Sequence, residues 1–163
     1  MVNTKAIAGL LALSAMLAAC SGGSDGDADT SAQAEASAPV APAGPPAATD
    51  MSTLDGSTLA NFAGNAVNGK LVFAQCRMCH VTDAGVNKIG PSLNNIIGRT
   101  AGTVPGYTYS AANAGAGFVW TKEKLFQFLE KPQRVIPQTK MIYAGLPDAQ
   151  KRADLIAYLE TPN

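Results

Sequence analysis

Residues 76–80 read Cys76-Arg77-Met78-Cys79-His80. Two thiols three positions apart, followed at once by an imidazole, form the c-type haem attachment pattern. One helical turn sets the sulfurs at the separation of the two vinyl-derived carbons of haem, and it places the imidazole under the iron as an axial ligand. Other uses of these residues ask for more than the chain contains. A structural zinc takes four nitrogen or sulfur ligands, and the 163 residues hold three cysteines and a single histidine. A thioredoxin-like dithiol sits beside a βαβ pattern, which is not visible here. A plain disulfide would leave His80 unexplained.

An iron held by His80 on one side needs a second axial ligand to become six-coordinate. The soft candidate is methionine, and elimination leaves one. Met1 and Met16 fall in an N-terminal targeting segment, Met51 in a linker, and Met78 inside the loop closed by the two cysteines. Met141 alone stands in the region that reads as folded. His/Met ligation raises the reduction potential and fills the coordination sphere, which suits electron transfer and leaves no site for a substrate. With no second histidine as a distal acid–base group, the chain reads as an electron-transfer protein rather than an enzyme.

Upstream, Lys5 precedes an uncharged apolar run from Ala6 to Ala19. About 14 residues are too few to cross a ~30 Å hydrocarbon core, so residues 1–19 read as a signal peptide. The run closes with Leu17-Ala18-Ala19-Cys20, which resembles a bacterial lipobox. Cys20 would then be lipidated on sulfur and become the new N-terminus, and the two chains of a diacylglycerol give stable anchoring. Ser21 to Asp50 is built from Ala, Ser, Gly, Pro, Asp and Thr, with Val40 its only sizeable apolar side chain, five acids and no base. Such a segment cannot bury enough surface to offset its ordering entropy. Residues 20–56 therefore read as a lipidated cysteine and a disordered tether with a root-mean-square span of roughly 30–37 Å. Pro39, Pro42, Pro45 and Pro46 stiffen its second half.

Residues 57–163 read as one folded domain. The equal totals of 12 basic and 12 acidic side chains hide its character, because after residue 50 eleven Lys and Arg stand against seven Asp and Glu. The net charge of zero offers no case for nucleic acid as a partner. A short helix is expected over Val67 to Gln75, leading into Cys76. Thr121 can cap a second, with Leu125, Phe128 and Leu129 at i, i+3, i+4 and a stop at Pro132. Pro147 and Asp148 open a third, with Leu155, Ile156 and Leu159 on one face and Thr161-Pro162 as its end. Between Val81 and Val119 the chain is dense in Gly, Asn, Thr and Pro, with one short apolar run at Leu93 to Ile97. So long an irregular stretch is expected where a large apolar cofactor, not side chains, fills the centre. The expected fold class is all-α: three or more helices with long loops wrapped around one covalently bound haem c.

In this order and spacing the residues resemble class I cytochrome c, in its mitochondrial-type branch, over nearly the whole folded domain. Gly69 and Phe73 look like the first-helix pair that packs on the terminal helix, and Arg152 to Leu159 is similar to that terminal helix. The resemblance implies that the Pro91 carbonyl, after Gly90, receives the His80 Nδ1–H. It implies that Arg99, after Gly98, lies beside a haem propionate, with Tyr107, Tyr109, Asn113 and Trp120 lining the same side. Pro137-Gln138-Thr139-Lys140-Met141 and the following Ile142-Tyr143-Ala144-Gly145 look like the methionine loop, which adds Thr139 to the cofactor-binding residues. Leu93, Ile97, Leu125, Phe128 and Leu129 are candidates for the apolar pocket.

Three residues depart from the branch. Only two residues separate Phe73 from Cys76, where mitochondrial examples have three. Phe128 stands where the branch has a tyrosine whose hydroxyl approaches the methionine sulfur, and Tyr143 where it commonly has phenylalanine. Loss of the donor at Phe128 would make the Met141 sulfur a better ferric ligand and lower the potential.

The function implied is a one-electron carrier of a respiratory or photosynthetic chain, running from a quinol-oxidising complex to a terminal oxidase or similar acceptor. The carrier would be a monomer tethered on the periplasmic side of a bacterial membrane. Electrons would leave through a haem edge near Cys76 and Tyr143, with Lys70, Lys88, Lys131 and Lys140 steering membrane redox complexes to it. The alternative is a haem ligand-binding or sensor protein in which Met141 dissociates.

Overall fold

The computed structural model describes residues 44–162. The signal segment, Cys20 and most of the expected tether lie outside the described residues. The elements are a 3-10 turn at Leu59–Asn61 and five helices: α1 (Ala66–Phe73), α2 (Ala111–Ala114), α3 (Lys122–Glu130), α4 (Pro132–Val135) and α5 (Ala149–Glu160). Among the described residues the only extended pairing is an isolated bridge between Thr100 and Val119.

All the helices but α4 begin where a polar side chain satisfies free amides. Asn65 Oδ1 accepts from the amides of Val67 and Asn68 at 2.9 and 3.1 Å. Thr121 Oγ1 caps α3 through the Lys124 amide at 3.0 Å, and Asp148 caps α5 through Lys151 at 3.1 Å. The expected stop at Pro132 holds, because the residue before a proline is driven out of the helical region; Lys131 sits at φ −152°, ψ 85°. Proline then starts α4. Ser110 caps α2 through the Asn113 amide, a single turn inside the stretch expected to be irregular throughout.

α1 and α5 join the two ends of the domain. At Gly69 the helices come so close that a Cβ would overlap the Asp154 carbonyl oxygen. On either side of this crossing, the Asp154 carboxylate accepts from the Asn65 amide at 2.8 Å, and the rings of Phe73 and Tyr158 lie 5.2 Å apart. The core continues through Ile96, Trp120, Phe126, Ile136, Leu155 and Ile156. Trp120 is held edge-on between Phe118 and Phe128, with both centroid distances 4.8 Å.

The domain starts earlier than Ser57. Residues 47–57 lie as a strap along the side of α3 that carries Lys124, Gln127 and Glu130, all buried. Lys124 Nζ donates to the carbonyls of Ala47 and Asp50 and to Gln127 Oε1, and it sits over the Phe118 ring. Gln127 and Arg134 both donate to the Ser52 carbonyl. The Glu130 carboxylate accepts from the Leu54 and Asp55 amides at 2.7 and 2.9 Å. Arg152, fully buried, donates to Asp55 Oδ2 at 2.6 Å and Ser57 Oγ at 2.8 Å while stacking on Phe126. The strap binds mainly through its own backbone groups, and its larger apolar side chains, Met51 and Leu54, are not buried.

Burial alone would raise the Asp55 carboxyl, but hydrogen bonds from Ser57 and Arg152 outweigh it and hold the group well below the ordinary carboxylate range. Its stabilising contribution is therefore complete above the unfolded value near 3.8 and is lost as pH falls below it. Asp55→Asn is expected to cost about 2 kcal/mol at neutral pH, since a charge-assisted bond to a buried guanidinium is lost from a partly exposed site. It should also flatten the acid limb of the unfolding free energy measured by denaturant titration between pH 2 and 7.

Candidate functional site

The cysteine–histidine segment follows α1 directly. The Cys76 and Arg77 amides donate to the Phe73 carbonyl, and those of Cys79 and His80 to the Cys76 carbonyl. One continuous turn thus carries both thiols and the imidazole to the wall of a cavity of about 420 Å³. Neither cysteine is engaged in a disulfide. Burial, with Cys79 beside it, pushes the Cys76 thiol up to about 11, so it is protonated at neutral pH.

The imidazole is fixed in tautomer. A carbonyl oxygen only accepts, so the 2.7 Å contact between His80 Nδ1 and the Pro91 carbonyl places the proton on Nδ1 and leaves Nε2 with its lone pair. Burial lowers the basicity of His80, against the opposing pull of the Pro91 carbonyl, which favours the neutral ligand form. Gly90 is required here, because a Cβ at that position would collide with the His80 ring.

The cavity is a cleft with apolar walls and a polar end. Phe73, Leu93, Ile96, Trp120, Leu125, Phe128, Leu129, Leu155 and Leu159 supply the apolar surface. Ile96, not the expected Ile97, lines it: Ile97 is half-buried and packs on the core from outside the cavity. The chain turns at Asn95, which has a positive φ of 47°, so no simple period carries inwardness along 93–97.

The polar end gathers Arg99, Tyr107, Tyr109 and Asn113. Arg99 spends two N–H groups on the carbonyls of Asn94 and Ser92, at 2.8 and 3.0 Å, and keeps three of its five donors. Burial draws its pKa down, partly offset by Tyr109. Tyr107 Oη donates to the Ile89 carbonyl at 2.9 Å and its ring meets Tyr109 edge-on. Asn113 holds a buried amide oxygen with no hydrogen-bond partner among the described residues. Such a cavity fits a flat apolar group of macrocycle size with acidic substituents directed to the arginine end.

Across the cavity stands the segment after α4. Gln138 adopts φ 60°, a left-handed turn that a side chain rarely takes, and so redirects the chain at Thr139. Thr139 Oγ1 accepts from the Met141 amide at 3.3 Å. Of the three described methionines only Met141 lines the cavity, whereas Met78 is 81% exposed. All eleven residues expected to bind the cofactor line this one cavity: Cys76, Cys79, His80, Pro91, Arg99, Tyr107, Tyr109, Asn113, Trp120, Thr139 and Met141.

Of the four lysines, Lys140 lies at the cavity rim and donates to the Thr108 carbonyl at 2.8 Å, and Lys88 donates to the Arg77 carbonyl. Lys70 and Lys131 are exposed and do not line the cavity. The sequence names Gly90 only as the residue before Pro91 and Gln75 only as the end of the first helix; the close approach of Gly90 to the imidazole and the acceptance of the Tyr143 hydroxyl by Gln75 carry no signal in the residue types.

Comparison with known proteins identifies the family. The family model for cytochrome c matches residues 66–162. Cytochrome c2 from Rhodopila globiformis is 54% identical over 99 residues, which is 60% of this chain and 93% of that protein. Cytochrome c 2.1 from Caenorhabditis elegans is also 54% identical over 99 residues, 60% of this chain and 89% of that protein. The solved structure of cytochrome cH from Methylobacterium extorquens superposes with a TM-score of 0.57 at 38% identity, over 60% of this chain and 99% of that one. Members of this family carry covalently attached haem c and transfer electrons without being enzymes. The chain belongs to the cytochrome c family and has its mostly helical fold.

Proposed function

We propose that the chain is a one-electron carrier of a respiratory or photosynthetic chain, with Cys76 and Cys79 as thioether links and His80 and Met141 as axial ligands. One observation carries this reading: two thiols, an imidazole with a free Nε2 and a thioether, drawn from distant parts of the chain, line the same apolar cavity. The haem supplies an iron that gains and loses one electron. The protein's part is to change nothing while it does so. His80 is pinned through Pro91, and the Thr139 hydroxyl accepts from the Met141 amide, so the chain itself would present both side chains to the iron. Leu125, Phe128 and Leu129 exclude water from the centre, which keeps solvent reorganisation small. Arg99 would face the propionates, with Tyr107, Tyr109 and Asn113 beside it.

The domain sits at the end of a leader that reads as a signal peptide and lipidated Cys20, outside the described residues. This supports a place on the periplasmic side of a bacterial membrane, where the tether raises the local concentration of membrane redox complexes. Electrons would pass at the rim formed by Tyr143, Ile142 and Ile89, the last two widely exposed, with Lys88 and Lys140 close by.

Optical spectra of the purified haem protein in both oxidation states test the ligation. The ferric form is expected to show the weak band of a methionine–iron bond. Met141→Ala should abolish that band, lower the midpoint potential and let carbon monoxide bind the reduced iron quickly at neutral pH. A wild-type spectrum without the band would remove Met141 from the site.

Phe128 presents no donor to the cavity. Phe128→Tyr is expected to raise the midpoint by roughly 20–60 mV, the equivalent of one hydrogen bond to the sulfur in a one-electron couple. A redox titration reads this directly, and an unchanged or lowered midpoint would discard the idea.

A further inference from the structure

The segment that carries Met141 has little backbone to hold it. Among the described residues, no backbone–backbone hydrogen bond is made by an amide between Thr139, which donates to the Ile136 carbonyl, and Leu146, which donates to the Leu129 carbonyl. Residues 140–145 are therefore held by side chains. Gln133 Nε2 reaches the carbonyls of Thr139 and Met141, both at a long 3.4 Å. The two shorter ties flank Met141 and run to different walls. Lys140 Nζ donates to the Thr108 carbonyl at 2.8 Å, and Tyr143 Oη donates to Gln75 Oε1 at 3.1 Å.

The second tie has a particular placement. Gln75 directly precedes Cys76, so its backbone belongs to the wall that carries the thiols and His80, and its exposed side chain reaches out along the rim. Tyr143 is half-buried, lies two residues beyond Met141, and lines the cavity together with Gln75. The bond spans 68 residues of sequence and closes the cavity rim between the cysteine wall and the methionine segment. Ile142, between Met141 and Tyr143, is fully exposed and contributes no packing to hold the segment down.

We propose that the Tyr143–Gln75 hydrogen bond is a clasp that keeps Met141 seated, so that these two positioning residues set how often the sixth coordination position opens. The inference rests on the axial role of Met141 given above. A small ligand can reach the iron only when the methionine segment swings out, and the segment cannot swing while the phenol is held at the cysteine wall. Loss of one such hydrogen bond makes the open form roughly five-fold more populated.

The test is stopped-flow binding of imidazole to the ferric haem protein, with the methionine–iron band followed in the same samples. Tyr143→Phe and Gln75→Leu are each expected to speed imidazole binding about five-fold. The double variant should be no faster than either single one, since both remove the same bond. Gln75→Glu, which retains an acceptor, should return the rate close to wild type. Hydrogen exchange at the Met141 and Leu146 amides, which are hydrogen-bonded at either end of the segment, should rise in both single variants, a readout independent of ligand chemistry. Unchanged binding rates with the band intact would overturn the clasp and leave the ligation standing. Absence of the band from the wild-type protein would overturn the ligation and the gate together.

Discussion

Where α1 crosses α5, the missing side chain of Gly69 lets the Asp154 carbonyl into the space a Cβ would fill. The crossing fixes more than two helices. α1 runs straight into Cys76, so its angle sets where both thiols and His80 stand, and the far side of α5 supplies Leu155 and Leu159 to the same cavity. The capping of α1 depends on the crossing as well, because the Asn65 amide is held by the Asp154 carboxylate. Once the two chain ends are joined in this way, residues 81–148 have to pass around the cavity instead of through it. The irregularity of residues 81–110 and 136–148 follows from that path.

α3 resolves the opposite demands of the cavity and the surface. Leu125, Phe128 and Leu129 stand along one side and line the cavity. Lys124, Gln127 and Glu130 stand along the other, yet they are as buried as the apolar residues. Burying an ammonium, an amide and a carboxylate on one helix face is costly unless every group finds partners. The strap supplies them with its carbonyls and amides, at Ala47, Asp50, Ser52, Leu54 and Asp55. The strap is thus a counterpart to the cavity: one side of α3 is shielded from water by peptide groups, and the other lines the apolar cavity.

The site was legible in the sequence because its chemistry is concentrated in residues that are scarce. One histidine, two cysteines beside it and a single methionine left once Met51 and Met78 are set aside leave few arrangements, and the second and third of the expected helices announce themselves through Thr121, Pro132, Asp148 and their apolar spacing. The strap was not legible. Its contacts are made mostly by backbone groups, joined by the Asp55 and Ser57 side chains, and the residues that meet them, Lys124, Gln127, Glu130 and Arg152, have the composition of a solvated face. The exchange of Ile97 for Ile96 has a similar origin, since a left-handed residue at Asn95 breaks any period that could tell inside from outside. The tie between Tyr143 and Gln75 joins two ordinary residues 68 positions apart, and no local pattern encodes it.

The two walls of the cavity differ in how firmly they are built, and the difference bears on electron transfer. His80 belongs to a turn continuous with α1, is locked by the Pro91 carbonyl, and is backed by Gly90 with no room to spare. Met141 belongs to a segment held by side chains and a strained turn at Gln138. In the proposed ligation the histidine side is therefore the fixed reference, and any difference in geometry between oxidation states would be taken up at the methionine. A carrier needs that difference to be small but does not need it abolished. Side-chain ties meet the requirement, because they restrain the sulfur without adding the cost of ordering another helix around it.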